Sequence, residues 1–204
     1  MLRSVLAIPD VYELFGQAIG VPAFRRVFSS EYIRPKRTER ILDIGCGPGS
    51  MVPYLEGAEY VGFDMSASYI AAARKRFGDR ATFVCERVSK QTLDAPGAYD
   101  VVVASAILHH LDDAEATKLF ELAAQALKPG GRLVTLDCAY VPEQTKLARW
   151  IVSMDRGQHV RPPDGYAAFA RRVFRDVKVD VRHDLLRIPY THIFLECTNP
   201  IESS

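Results

Sequence analysis

Cysteine is sparse in this 204-residue chain: Cys46, Cys85, Cys138 and Cys197 are its four, no two stand as Cys-x-x-Cys, and no histidine spacing accompanies them. A disulfide scaffold and a zinc site evident from spacing are excluded on that ground, and no metal is expected. Three of the four sit in or beside apolar runs, where a free thiol behaves as a small buried hydrophobe, so a reducing cytoplasm is the expected compartment. Long hydrophobic runs are also missing. Pro9, Asp10 and Glu13 interrupt the N-terminal "MLRSVLAIPDVYELF", no small-residue cleavage site follows it, and no stretch approaches the roughly 20 apolar residues of a membrane span. Stable membrane insertion is therefore not expected. Charge of one sign is lacking as well. The net charge is +1, which asks for neither nucleic acid nor an anionic membrane. Internal repeats and low-complexity tracts are absent.

What remains is a chain with 48% hydrophobic residues, enough for a sizeable core in one domain or one domain with a small appendage. Five apolar runs of strand length recur: "RILDIG" (40–45), "EYVGFD" (59–64), "ATFVC" (81–85), "YDVVVAS" (99–105) and "GRLVTLD" (131–137). They are apolar throughout rather than alternating, as strands covered on both faces are. Between them lie helical patterns. "SYIAAARKRF" (68–77) stops at Gly78, and Asp112 with Glu115 caps a helix that puts Ala116, Leu119, Phe120, Ala123 and Leu127 on one face before Lys128-Pro-Gly-Gly131 ends it. Strands alternating with helices predict an α/β fold: a Rossmann-like open sheet, mostly parallel, with helices on both faces. In such a sheet the ligand crevice lies at the strands' carboxyl ends.

The last third changes character. Residues 141–174 read as a helical insertion, with one helix over about 144–154, a Pro-Pro break and a second helix from about Asp164. Val177, Val179 and Val181 then alternate with Lys178, Asp180 and Arg182, and another strand begins near Tyr190. That alternation predicts an antiparallel C-terminal hairpin with one wet face. Ahead of the core, residues 1–38 form an N-terminal helical cap, with Phe24, Val27, Phe28 and Tyr32 packing over one end of the sheet. Residues 39–204 form the main domain.

Gly45-Cys-Gly-Pro-Gly49 places three glycines directly after the first strand. Glycines at a strand-to-helix turn let backbone N–H groups and a helix N-terminus approach a ligand. The spacing is G-x-G-x-G rather than the dinucleotide G-x-G-x-x-G, and Asp43, inside the strand end, is poorly placed for a pyrophosphate but well placed for a cation or an ammonium. Asp64 ends the next strand, where an acid accepts hydrogen bonds from ribose hydroxyls. A ribose with an amino group and no diphosphate describes S-adenosylmethionine. Singly, these acids could equally cap helices or pair with arginine.

"ILDIGCGPGS", "YVGFDMS", "YDVVVASAILHHL" and "LKPGGRLV" together resemble, in order and spacing, class I S-adenosylmethionine-dependent methyltransferases of the small-molecule type. The resemblance covers residues 38–140 most closely. It implies that Gly45, Cys46 and Gly47 face the methionine portion of the cofactor with Asp43 near its ammonium, that Asp64 binds the ribose and Met65 lies against adenine, and that backbone at Ala104 and Ser105 holds the amino-acid end. After the third strand the family commonly places an acid on the adenine amino group. Arg87 stands there, so the contact falls to Glu86 or to backbone around Val88. The loop "AILH" also resembles that of phosphobase methyltransferases, which implies His109, with His110 beside it, as the group that assists proton removal. In that family an Asp stands where this chain has Ser105.

Acceptor contacts are expected from Tyr12, Tyr140, Arg156, His159, Arg161 and Tyr190, the polar turn "MDRGQHVRPP" offering Arg156, His159 and Arg161 to a carboxylate, phosphate or sugar acid. The alternative is a solvated connector whose arginines pair with Asp155 and Asp164. The expected activity is methyl transfer from S-adenosylmethionine to oxygen or nitrogen of a small molecule. The competing readings are a cofactor-binding protein without transfer and a nicotinamide-dependent oxidoreductase. The oligomeric state is not legible from the sequence.

Overall fold

A computed structural model describes residues 16–93, 96–155 and 157–201. Seven strands form one sheet: β1 (Arg40–Ile44), β2 (Glu59–Phe63), β3 (Thr82–Val84), β4 (Tyr99–Ser105), β5 (Leu127–Cys138), β6 (Phe174–Arg182) and β7 (His192–Pro200). Their order is β3-β2-β1-β4-β5-β7-β6. The first five run parallel, and β7 is antiparallel to both β5 and β6. The order reverses between β1, which leads outward to β2, and β4. The carboxyl ends of β1 and β4 therefore diverge into a crevice at the switch point.

Because β1 is covered on both faces, its alternate side chains serve two cores. Leu42 and Ile44 join Val102, Ala104 and Leu133 beneath α3 (Asp113–Ala126) and α5 (Pro163–Arg171). Ile41 joins Val101, Val103, Val134 and Phe194 beneath α2 (Ala67–Phe77) and the N-terminal segment. That segment consists of α1 (Val21–Val27) and a π-helix, Phe28–Ile33. It packs on the sheet face at β7, where Tyr32 stacks on Phe194 at 3.8 Å between centroids and Phe24 stacks on His192 at 4.8 Å.

Local sequence sets the helix starts. The Ser66 hydroxyl accepts from the Tyr69 N–H at the start of α2, and Asp112 Oδ1 accepts from the Glu115 N–H, 2.8 Å away, at the start of α3. In the insertion α4 is Lys146–Ser153, capped by Thr145, and α5 begins at Pro163, which suits a first-turn position. One boundary differs from expectation. Lys128-Pro-Gly-Gly131 does not separate α3 from its strand, because β5 already pairs at Leu127 with Tyr99, and a register shift between Tyr99 and Val101 absorbs the turn residues. No helix among the described residues is long and apolar enough to cross a membrane.

Candidate active site

At the switch point the glycine turn is tied to β2: the N–H groups of Gly45 and Cys46 both donate to the Phe63 carbonyl, at 2.8 and 3.0 Å. Gly45 has φ +77°, and a Cβ there would lie 2.7 Å from Ile107 Cδ1, so conformation and space both demand glycine. At Gly47, φ +54°, a Cβ would meet nothing within 4 Å, which marks an open side of the turn. Asp64 joins the turn to α2, its two oxygens accepting from the Gly47 N–H (2.9 Å) and the Ser66 N–H (2.8 Å). Cys46 packs inward, its Sγ against the position a Gly62 Cβ would take, and burial pushes its thiol up.

Asp43 is 3% exposed. One carboxylate oxygen, Oδ2, accepts from the Tyr60 hydroxyl at 2.6 Å, while Oδ1 is buried with no hydrogen-bond partner among the described residues. Burial raises its carboxyl to about 6 against the pull of Tyr60, with Asp64 adding to the rise. An orphaned buried acceptor costs about 1 to 3 kcal/mol unless something fills its demand. The donor missing at Asp43 is the kind an ammonium would supply, so the residues present fit S-adenosylmethionine on this count.

The other expected cofactor positions surround this centre unevenly. Met65 is 63% exposed at the crevice rim, and the adjoining helix carries Tyr69, also exposed. Ala104 is buried and Ser105 half-buried at the carboxyl end of β4. Glu86 and Arg87 are exposed, and the Arg87 guanidinium pairs with Glu115 at 2.9 Å.

The loop after β4 carries His109, 3% exposed and held at both ring nitrogens. Asp137 Oδ1, on β5, lies 2.7 Å from Nδ1 and also accepts the His109 N–H, while Asp155 Oδ1 lies 3.2 Å from Nε2. Burial alone would lower the imidazole pKa, but the two carboxylates outweigh it and raise the value to about 9. The same contact holds Asp155 down near 2, whereas burial raises Asp137. His110 is exposed, its ring tilted against His109 at 4.1 Å.

The acceptor-side residues divide. Arg161 spends its guanidinium on the loop: Nη1 donates to the Leu108 and His159 carbonyls, and Nη2 to the Leu111 carbonyl and Asp113. The His159 N–H donates to the His109 carbonyl, so residues 157–161 lie as a strap across the loop. Tyr140 carries the Arg149 guanidinium 4.8 Å above its ring, and the Tyr190 hydroxyl donates to Asp155 Oδ2 at 3.3 Å. Tyr12 and Arg156 lie outside the described residues. The sequence reading passed over Tyr60 and Asp137. Asp137 had a signal, an acid inside the apolar "LVTLDCAY" at a strand's carboxyl end.

A family model described as a methyltransferase domain matches residues 41–131. A ubiquinone biosynthesis O-methyltransferase of Cronobacter sakazakii is 34% identical over 100 residues, 47% of this chain and 40% of that protein. A ribosomal RNA small subunit methyltransferase C of Chromohalobacter salexigens is 32% identical over 120 residues, 55% of this chain and 34% of that protein. The chain thus spans under half the length of these curated relatives. The crystal structure of a SAM-dependent methyltransferase from Archaeoglobus fulgidus matches 92% of this chain and 99% of its own, with a TM-score of 0.66 at 20% identity, a likeness of fold. Residues 41–131 thus match a methyltransferase domain, and the sheet shares the fold of a solved S-adenosylmethionine-dependent methyltransferase.

Proposed function

We propose that this chain methylates an oxygen or nitrogen of a small molecule from S-adenosylmethionine, in the reducing cytoplasm that suits its free thiols. The observation that carries the cofactor half of this reading is Asp43 Oδ1, buried and without a partner among the described residues beside the glycine turn and Asp64 at the switch point. Asp43 takes the ammonium, backbone at Gly45, Gly47, Ala104 and Ser105 orients the amino-acid end, Asp64 accepts the ribose hydroxyls on its remaining lone pairs, and Met65 covers adenine, with Glu86 or backbone near Val88 at the adenine edge. When bound, the cofactor supplies a methyl carbon activated by sulfonium. The protein's task is then alignment and exclusion of water. His109 lies at the acceptor end of the crevice. To take an acceptor proton it must first give up its contact with Asp155; until then it holds one.

Tyr140, Tyr190 and His159 offer the acceptor aromatic and polar contacts, while Arg161 holds the loop. A small molecule is favoured over RNA because no basic surface interleaved with aromatics is legible in the sequence. A second reading, binding without transfer, draws on the engagement of both His109 nitrogens. The test is calorimetric titration with S-adenosylmethionine, followed by a screen of metabolite fractions for S-adenosylhomocysteine release. Absence of binding at micromolar concentrations would overturn the reading. Binding without release across the fractions would favour the second.

A further inference from the structure

The cluster around His109 brings together more than a base needs. One ring nitrogen of His109, Cys138 Sγ and a carboxylate oxygen of Asp155 all lie within 4.8 Å of one another. They come from three elements far apart in sequence: the loop after β4, the last residue of β5 and the turn after α4. Asp137 grips Nδ1 at 2.7 Å. If Nδ1 carries the proton of a neutral imidazole, Nε2 is a bare lone pair facing Asp155 Oδ1 at 3.2 Å. Two acceptors at that distance require something positive between or against them, either a second proton on the ring or a cation.

We propose that His109, Cys138 and Asp155 form a site for a divalent transition metal of the zinc type. Nitrogen, sulfur and oxygen donors together suit zinc or cobalt, whereas magnesium and calcium take oxygen ligands. In a tetrahedral zinc site such donors stand roughly 3.3 to 3.6 Å apart. The His109–Asp155 pair, at 3.2 Å, stands just inside that separation, and the thiol need move in by only about 1 Å. The outer contacts are those of a metal centre: a carboxylate on the far histidine nitrogen, and the Tyr190 hydroxyl and Gly157 N–H on Asp155. Gly157 belongs to the arrangement, since a Cβ there would come within 2.1 Å of His109 Cδ2. Three protein donors leave a tetrahedral ion one position, open to water or to a heteroatom of an acceptor. The three ligands share no local spacing, so the site is formed only by the fold.

A metal on Nε2 excludes the proton-taking role of His109 while it is bound, and the test reads a spectrum rather than methyl transfer. Purified full-length protein, stripped with a chelator and returned to metal-free buffer, is titrated with cobalt(II) and then with zinc(II). The expected result is saturation at one equivalent with a near-ultraviolet thiolate-to-cobalt charge-transfer band, bleached by zinc. Cys138→Ser should abolish the band and weaken cobalt binding at least tenfold. Asp137→Asn should keep the band and weaken binding by about 10- to 100-fold. Circular dichroism and thermal unfolding of each variant establish that it is folded, and Cys138→Ala replaces Cys138→Ser if the hydroxyl is not tolerated. Lack of saturable binding, saturation without the band, or an equal band in the Cys138 variant would overturn the proposal.

Discussion

Asp43 concentrates the site's electrostatics in one residue. Its carboxyl stands at about 6 instead of the ordinary 3.8, chiefly because burial penalises the charged form. A carboxyl raised in this way stabilises the fold only while protonated. The contribution is full below 3.8 and is lost as pH climbs through about 6. At about 1.4 kcal/mol per unit, the cofactor-free protein should lose on the order of 3 kcal/mol between pH 4 and 7 through this group. Asp43→Asn should remove that slope, so the stability of the variant relative to the parent should grow over the interval. Denaturant unfolding at a series of pH values measures it, and parallel curves would contradict it. An ammonium partner prefers the ionised acid, so S-adenosylmethionine affinity should fall as pH drops below about 6 in the parent, by up to tenfold per unit, and stay flat in the variant. Asp64 carries the complementary expectation. Asp64→Ala removes an acceptor from the Gly47 and Ser66 N–H groups as well as from the ribose, and should weaken cofactor binding by about 1 to 3 kcal/mol. Calorimetry would show it. Both acids were legible in the sequence because each interrupts an apolar run at its carboxyl end. Asp137 interrupts its run in the same way, but its partner His109 lies 28 residues away in sequence, and only the folded chain brings the two together.

Among the elements, the strap over residues 157–161 lies across the loop after β4. It is held by the Arg161 donors on Leu108 and Leu111, by the His159 N–H on the His109 carbonyl, and by the close approach of Gly157. Gly157→Ala inserts a methyl 2.7 Å from the His109 carbonyl oxygen. Overpacking of that kind costs about 1 to 3 kcal/mol, and the strap can relieve it by lifting. Thermal unfolding should register the loss, while S-adenosylmethionine affinity, set at the ends of β1 and β2, should change less than twofold. A matching loss of cofactor affinity would show that strap and glycine turn form one unit. The strap also marks how far the elements could be read in advance. Strands β1 to β4 fell within a residue or two of their apolar runs, because continuous apolar sequence in a chain with helical spacers has few other uses. The start of β5 was misplaced by four residues, 131 against 127, since a Pro-Gly-Gly turn signal sits where a bulge keeps the strand paired. The strap's own contacts were invisible, for "MDRGQHVRPP" reads as equally able to meet solvent, substrate or its own backbone.

For the whole molecule, the antiparallel insertion of β7 between β5 and β6 does more than close the sheet. It brings His192 opposite Cys138 and presents Phe194 to the N-terminal segment, so β7 and the N-terminal helices share one core with β1, β4 and β5. The cofactor crevice lies across the other half, between β1 and β4. A ligand there couples to global stability through mass action alone, adding RT ln(1 + [L]/Kd). At a hundredfold excess over Kd this is about 2.7 kcal/mol. For a chain of this size each kcal/mol moves the midpoint by roughly 2 to 4 °C. S-adenosylmethionine at that excess should therefore raise Tm by about 5 to 10 °C in a single transition. Asp64→Ala at the same ligand concentration should lose roughly a third to nine-tenths of the shift, because weaker binding lowers [L]/Kd. Gly157→Ala should start from a lower Tm and show the full shift. That pattern would separate a variant that damages the pocket from one that damages the fold, and two resolved transitions in the parent would mean that the halves of the sheet do not unfold together.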